Sequence, residues 1–267
     1  MISIIIPTYR SKKEEVIAQI DNIICQNYEC EIIFSDGESD YFLPFLNDVT
    51  AILDYTSIQL KVVQNRNNHS VLSRSQSMNL AAKEASGDLL LFLHIDTFLP
   101  PDALHNIEQR MKEDQFIAGG FLKRYDQPFA FGLTEKLLNY RTNITKQLVG
   151  TNALFIRSEV FKKEPFPEQF MEDILYSDHL IKKFGRKNIV ILPDQMTVSS
   201  MKYIKHGPFR RILVNALVML LHRTYQIDLH HLEEIYKSSK EDSLCQIYKK
   251  GWHFIKLKKE RKKDLEG

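Results

Sequence analysis

The residues best placed to do chemistry are His94 and Asp96, in the stretch GDLLLFLHIDTFLPPDAL at 87–104. A run of buried-strand residues stops there on His94-Ile95-Asp96-Thr97 and turns at Pro100-Pro101. A carboxylate delivered by a strand to the edge of a sheet is a common way for α/β enzymes to present a metal ligand. Side chains alternate along an extended backbone, so residues 94 and 96 are expected on one side, an imidazole and a carboxylate facing one ion or one phosphate. The competing reading is local, with Asp96 serving as a turn former or helix N-cap after a buried strand.

Two further segments carry reactive groups. Met171-Glu172-Asp173 opens a helical stretch, where acidic residues are favoured by the macrodipole in any protein. The segment SSMKYIKHGPFRR gathers Ser200, Lys202, Lys205, His206, Arg210 and Arg211, and its cations suit an anionic leaving group.

The elements that must position these groups follow an α/β rhythm. ISIII (2–6) and EIIFS (31–35) are short apolar runs ending in turn chemistry, and the residues between them, Val16, Ile17, Ile20, Ile23 and Ile24, have helical spacing. The pattern repeats with QLKVV (59–63), a helix over 73–85 and DLLLFL (88–93). A mainly parallel sheet with right-handed crossovers is expected, flanked by helices, with ligands bound beyond the carboxyl ends of its strands. The loops in question are PTYR, DGESD and HID. Further on, the sequence predicts helices over 101–113, 129–147 and 171–185, strands over 116–124, 153–157 and 189–192, and helices beyond 207. The expected organisation is a catalytic domain over 1–205 and a helical extension with a basic tail over 206–267.

Composition narrows the class. The 267 residues are 43% apolar with a net charge of +2, enough for one substantial core. Cys25, Cys30 and Cys245 have no metal-ligand spacing, and such sparse usage suits a packing role in a reducing cytosol. MISIII lacks a preceding basic region and a small-residue cleavage site, so it reads as a first strand. ILVNALVMLL (212–221) is too short to span a bilayer. The charge is lopsided: residues 249–267 hold eight Lys/Arg and three Asp/Glu, against 28 basic and 31 acidic residues elsewhere. Lysines interleaved with Tyr248, Trp252, Phe254, Ile255 and Leu257 suit either a peripheral membrane contact through 249–263, at the inner face of the membrane, or a solvated helix. The patch is confined to the tail with no recognised nucleic-acid motif, so a nucleic-acid partner is not expected.

In order, PTYR, DGESD, RSQSMNLAAKEASGDLLLFLHIDT, GTNALFIRSEVF, MED and SSMKYIKHGPFRR resemble a family 2 glycosyltransferase of the GT-A fold. More narrowly they resemble the bacterial radical-SAM/selenodomain-associated transferases, whose metal motif is His-Ala-Asp-Thr. The resemblance covers roughly residues 1–236. It implies an inverting, metal-dependent transfer from a nucleoside-diphosphate sugar, UDP- or GDP-linked, to a hydroxyl acceptor; a lipid-linked acceptor would suit the tail. Asp96 would anchor Mn²⁺ or Mg²⁺ across the diphosphate, while His94 would ligate the ion, bond a phosphate or contact the ribose; an imidazole ligand favours Mn²⁺. Pro7, Thr8 and Tyr9 would line the base, Asp36 would accept from its ring N–H with Asp40 nearby, and Arg74 would contact the nucleotide. Asp173 would be the base that deprotonates the acceptor, with Glu172 orienting it or touching the acceptor. Lys202 and Lys205 would meet the diphosphate, and His206 would be a further metal or phosphate ligand, unless it simply precedes a Gly-Pro turn.

Two departures stand out. Gly150-Thr151-Asn152 replaces the subgroup's usual Gly-Asp-Gln, so a carboxylate expected near the acceptor is absent, and Tyr203-Ile204 alters the aromatic in the C-terminal motif. Two rival classes are a degenerate protein that binds nucleotide or partners without transfer, and a nucleotidyltransferase. The second would carry a glycine-rich basic loop after its first strand, and PTYRSKKEE has no glycine.

Overall fold

The first strand shows why the fold forms. Along β1 (Ile2–Thr8), Ile2, Ile4 and Ile6 enter one core cluster and Ile5 enters another, so the strand is buried on both faces. Such a strand belongs in the middle of a sheet covered by helices on either side. The structure, a computed structural model, describes residues 1–36, 46–54, 56–64, 72–200, 208–239 and 242–266.

Those residues divide into two compact units, one of 1–168 with 172–199, the other of 169–171 with 200–267. The first holds α1 (Lys13–Ile24), β2 (Cys30–Asp36), α2 (Leu46–Leu53), β3 (Gln59–Gln64), α3 (Arg74–Lys83), β4 (Leu89–Phe92) and β5 (Thr97–Phe98). It continues with α4 (Ala103–Met111), β6 (Ala118–Tyr125), α5 (Pro128–Thr145), β7 (Phe155–Arg157), α6 (Ser158–Lys163), α7 (Glu172–Phe184) and β8 (Ile189–Val198). The strands form one sheet in the order β3-β2-β1-β4-β7-β6-β8-β5. One face carries Val16, Ile20 and Ile23 of α1, Val49 and Leu53 of α2, and Leu104 and Ile107 of α4. The other carries Met78, Ala81 and Ala82 of α3 with Tyr176 and Leu180 of α7. The fold is therefore α/β, a mostly parallel sheet between helical layers.

The register decides where the chemistry lies. β3, β2, β1 and β4 are parallel, with Thr8 opposite Asp36 and Asp36 opposite Gln64. β7 runs antiparallel to both β4 and β6, which turns β6 back into the direction of β4. One edge of the sheet thus collects the ends of β1, β2, β4 and β6 together with residues 150–152, which lead into β7.

One local expectation is corrected. Residues 94–96 are not extended: β4 ends at Phe92, and Thr97 N donates to His94 O at 3.1 Å, closing a turn. The reason is the pairing of Thr97 and Phe98 with Val198 and Thr197, which makes them an edge strand and forces the chain to reverse first. Strand alternation therefore does not govern His94 and Asp96. Helix α2, whose eight residues follow the DGESD region, is an element beyond those the sequence pattern announces.

The second unit holds α8 (Pro208–Arg223), α9 (Leu229–Ser238) and α10 (Leu244–Glu266). Val214, Val218 and Leu221, Leu232 and Ile235, and Ile247 and Ile255 are among its buried positions. Asp228 caps α9 by accepting from His231 N at 3.1 Å. Arg210 donates to Ser239 O at 2.6 Å. The tail is helical, with Tyr248 and Trp252 exposed. Among the described residues no helix is long and apolar enough to cross a membrane.

Candidate active site

At the sheet edge the structure brings Arg74, His94, Glu172 and Asp173 around one cleft, floored by Met78, Phe92, Leu148 and Leu154. Each is held by an identifiable local device. Ser73 and Gln76 cap α3 reciprocally, Ser73 Oγ accepting from Gln76 N at 3.2 Å and Gln76 Oε1 accepting from Ser73 N at 2.9 Å. That cap fixes Arg74 as the first helical residue, and its Nε donates to Glu172 Oε1 at 2.5 Å. Asn79 clamps the chain leading to α7, donating to Phe166 O at 2.9 Å and accepting from Phe166 N at 3.0 Å.

The two carboxylates of the MED segment are held differently. Glu172 is 7% exposed, and burial, reinforced by the negative charge of Asp173, pushes its carboxyl above the ordinary range although Arg74 pulls the other way. Asp173 instead accepts backbone N–H groups: Oδ2 from Gly150 at 2.7 Å and Oδ1 from Ile174 at 2.9 Å. The Gly150 contact locks the 150–152 turn against the first turn of α7. His94 closes the same corner. A Cβ on Gly150 would lie within 2.9 Å of His94 Cε1 and nearer still to Nε2, so the imidazole rests directly on the glycine backbone.

Met171 and Ala153 adopt left-handed backbone, at φ 63° and 43°. For residues with a Cβ that conformation is costly, and such strain clusters at functional sites. Here it sits immediately before α7 and immediately after the 150–152 turn.

The remaining expected site residues are more dispersed. Thr8 is 5% exposed and its hydroxyl donates to Ser35 O at 3.3 Å; Asp36 is 2% exposed at the end of β2. Pro7 is half-buried and Tyr9 is exposed, with the Arg10 guanidinium 5.4 Å from its ring centroid. Asp96 does not line the cleft; its backbone carbonyl accepts from Ser199 N at 3.1 Å, which ties the 94–97 turn to the end of β8. Asp40, Lys202, Lys205 and His206 lie outside the described residues. Among the described residues no three His, Cys, Asp or Glu side chains are gathered for a metal ion.

Sequence reasoning missed Lys123. It lies on β6 between Phe121 and Tyr125, on the inward face, and is 4% exposed. Asn139 of α5 pins its backbone on both sides, accepting from Lys123 N at 3.0 Å and donating to Lys123 O at 2.8 Å. Its Nζ donates to Thr151 Oγ1 at 3.1 Å. Burial, with the Arg141 cation alongside, pushes its ammonium down to about 8, and Asp173 only partly offsets this. The signal was present in the sequence: period-2 alternation in AGGFLKRY already turns Lys123 inward with its aromatic neighbours.

Comparison with known proteins gives a consistent picture. Residues 3–163 match the model of the family described as "Glycosyl transferase family 2". A "Probable glycosyltransferase" of Sulfolobus acidocaldarius is 27% identical over 179 residues, covering 62% of this chain and 35% of that protein, so the chain spans about a third of its relative's length. The mannosyltransferase PcManGT from Pyrobaculum calidifontis, solved with GDP-Man and Mn2+, superposes with a TM-score of 0.62 at 16% identity, over 95% of this chain and 68% of that one. S. aureus TarS 1-349 in complex with UDP-GlcNAc does so with a TM-score of 0.54 at 20% identity, over 82% and 66%. The shared architecture is the GT-A fold.

Proposed function

The chain belongs to glycosyl transferase family 2, and on that premise we propose that it transfers a sugar, with inversion, from a nucleoside-diphosphate sugar to a hydroxyl acceptor. The observation that carries this reading is the convergence of Arg74, His94, Glu172 and Asp173 on one cleft at the sheet edge.

Asp173 is the base. Its two backbone hydrogen bonds fix the carboxylate in one orientation and leave lone pairs on both oxygens for an acceptor hydroxyl. Glu172, ion-paired with Arg74, is a positioning residue that sets the first turn of α7. Asp96 and His94 are the residues that would hold Mn²⁺ or Mg²⁺. One carboxylate and one imidazole fit a hard cation that takes its remaining ligands from water and substrate phosphates, and the imidazole favours Mn²⁺. When bound, the ion supplies Lewis-acid neutralisation of the departing diphosphate. Thr8, Tyr9, Asp36 and Asp40 serve the nucleotide base, Lys202 and Lys205 the diphosphate, and His206 the metal or a phosphate, roles that rest on the motif resemblance to radical-SAM/selenodomain-associated transferases. The donor would be UDP- or GDP-linked, in keeping with what the structural neighbours bind. A membrane contact through 249–263, serving a lipid-linked acceptor, is part of the same proposal.

The test is a screen of UDP- and GDP-sugars with Mn²⁺, reading binding and sugar release. Asp96→Asn should abolish turnover. Asp173→Asn should lower it by about 100-fold or more, the usual contribution of a positioned base, with donor affinity unchanged. Near-normal turnover by Asp173→Asn would refute the base assignment, and nucleotide binding without any turnover would favour a binding-only protein.

A further inference from the structure

Lys123 is a buried cation that the transfer chemistry above does not use. Its ammonium carries three donors, and among the described residues one is satisfied, by the neutral hydroxyl of Thr151. An ammonium taken out of water without a paired anion is costly, and folds retain such groups where a ligand completes them. The surroundings are arranged for an anion. Arg141 places a second positive charge within electrostatic reach, and the Asp173 carboxylate, also within reach, offsets it only in part. Asn139 holds the Lys123 backbone from both sides, so the side chain cannot swing out with its strand. Thr151, unlike Lys123, is partly open to solvent. Thr151 also follows Gly150, whose N–H donates to the Asp173 carboxylate. An anion held by Thr151 would therefore sit one residue from the N–H that fixes the proposed base.

We propose that Lys123 and Thr151 form an oxyanion-binding subsite that selects an acceptor bearing a phosphate or carboxylate next to the hydroxyl that is glycosylated. The assignment rests on the glycosyltransferase reading, because it names the substrate class of that reaction. Among the described residues two of the three ammonium donors are left for the oxyanion, and Thr151 Oγ1 can rotate its hydrogen toward it as well.

The experiment measures calorimetric affinity for three small probes: sn-glycerol 3-phosphate, glycerate and glycerol. Wild type should bind the phosphate or the carboxylate probe and not glycerol, and the better of the two identifies the oxyanion. Lys123→Met should weaken that probe by about tenfold or more, the loss expected when a charge-assisted hydrogen bond is removed. Thr151→Asp keeps the lysine but supplies an internal carboxylate, and should weaken it to the same degree. Both variants should bind UDP or GDP with Mn²⁺ as wild type does. The proposal is overturned if Lys123→Met retains the oxyanion affinity, if wild type treats all three probes alike, or if the variants lose nucleotide affinity in parallel, which would assign the lysine to the donor diphosphate. Should Lys123→Met fail to fold, Thr151→Asp carries the comparison alone. Failure of the transferase reading is seen separately, as wild-type protein that binds no nucleotide.

Discussion

Replacing Lys123 by methionine should make the protein more stable, and the size of the gain follows from the structure. Burial and the Arg141 cation lower the ammonium from the ordinary 10.5 to about 8. At about 1.4 kcal/mol per pH unit, that difference is a cost of about 3 kcal/mol borne by the native state whenever the lysine is charged. Methionine matches the length of the side chain, fills the inward position between Phe121 and Tyr125, and carries no charge. Against this, Thr151 loses its hydrogen-bond donor; its partial exposure lets water replace much of it, so the loss is about 1 kcal/mol. The net expectation at pH 7 is a gain of about 2 kcal/mol, or about 4–8 °C in the unfolding midpoint for a domain of this size. The sign has a pH signature. Between pH 8 and 10.5 the unfolded chain still holds the proton that the native lysine has released, so wild-type stability rises relative to Lys123→Met through that window, and the advantage of methionine fades by its upper end. Denaturant melts of both proteins at pH 7, 9 and 10.5 would show it. A Lys123→Met protein less stable than wild type at pH 7, or an advantage that does not narrow above pH 8, would refute the claim that the lysine is a desolvated cation.

Two further perturbations address the same edge of the sheet. Gly150→Ala places a methyl where the His94 imidazole now rests, while Gly150 itself needs no left-handed backbone, so the ring is displaced and the fold kept. Stability should change by less than about 1 kcal/mol, whereas the Mn²⁺ concentration required for turnover should rise; an unchanged metal requirement would separate His94 from the cation. Arg74→Ala removes the group that restrains the raised Glu172 carboxyl. Because Arg74 is 43% exposed, the cost at pH 7 should be only about 1 kcal/mol, and it should vanish as the pH falls below about 4.5, where Glu172 is protonated in both the folded and unfolded states; equal losses at pH 7 and pH 4 would rule out the ion pair as their source.

Much of this architecture was legible from periodicity. The apolar runs at 2–6, 31–35, 59–63 and 88–93 are all strands, and the helical spacing after each of the first and third runs is a helix, because these segments are buried by one consistent pattern. What escaped depended on partners distant in sequence. Residues 94–96 read as a continuing strand because nothing local announces that Thr97 and Phe98 will pair with Val198 and Thr197, about a hundred residues on. The antiparallel insertion of β7 between β4 and β6 escaped for the same reason, since FIR alone does not reveal direction. The meeting of Arg74, His94, Glu172 and Asp173 was available only through motif order, because 98 positions separate Arg74 from its partner Glu172.

Several breaks in local rules lie beside the proposed chemistry, although left-handed Asn27, Asp102 and Gln226 and the buried Glu31 do not. Met171 and Ala153 take a left-handed backbone that glycine would adopt freely, Lys123 holds an ammonium where a leucine would pack, and Glu172 is buried when most carboxylates stay in water. A sequence selected only for stability would have relaxed each of these separately, since each has a simple substitute. They lie instead around two contacts, Gly150 N–H to Asp173 and Lys123 to Thr151, contributed by adjacent residues of one short turn. If the turn at 150–152 served packing alone, the strain on either side of it and the buried charges facing it would have no common cause. A site that must hold a carboxylate base and an anionic group close together without letting them meet supplies one: backbone N–H fixes the first, ammonium and hydroxyl receive the second, and the rigid turn keeps the two apart.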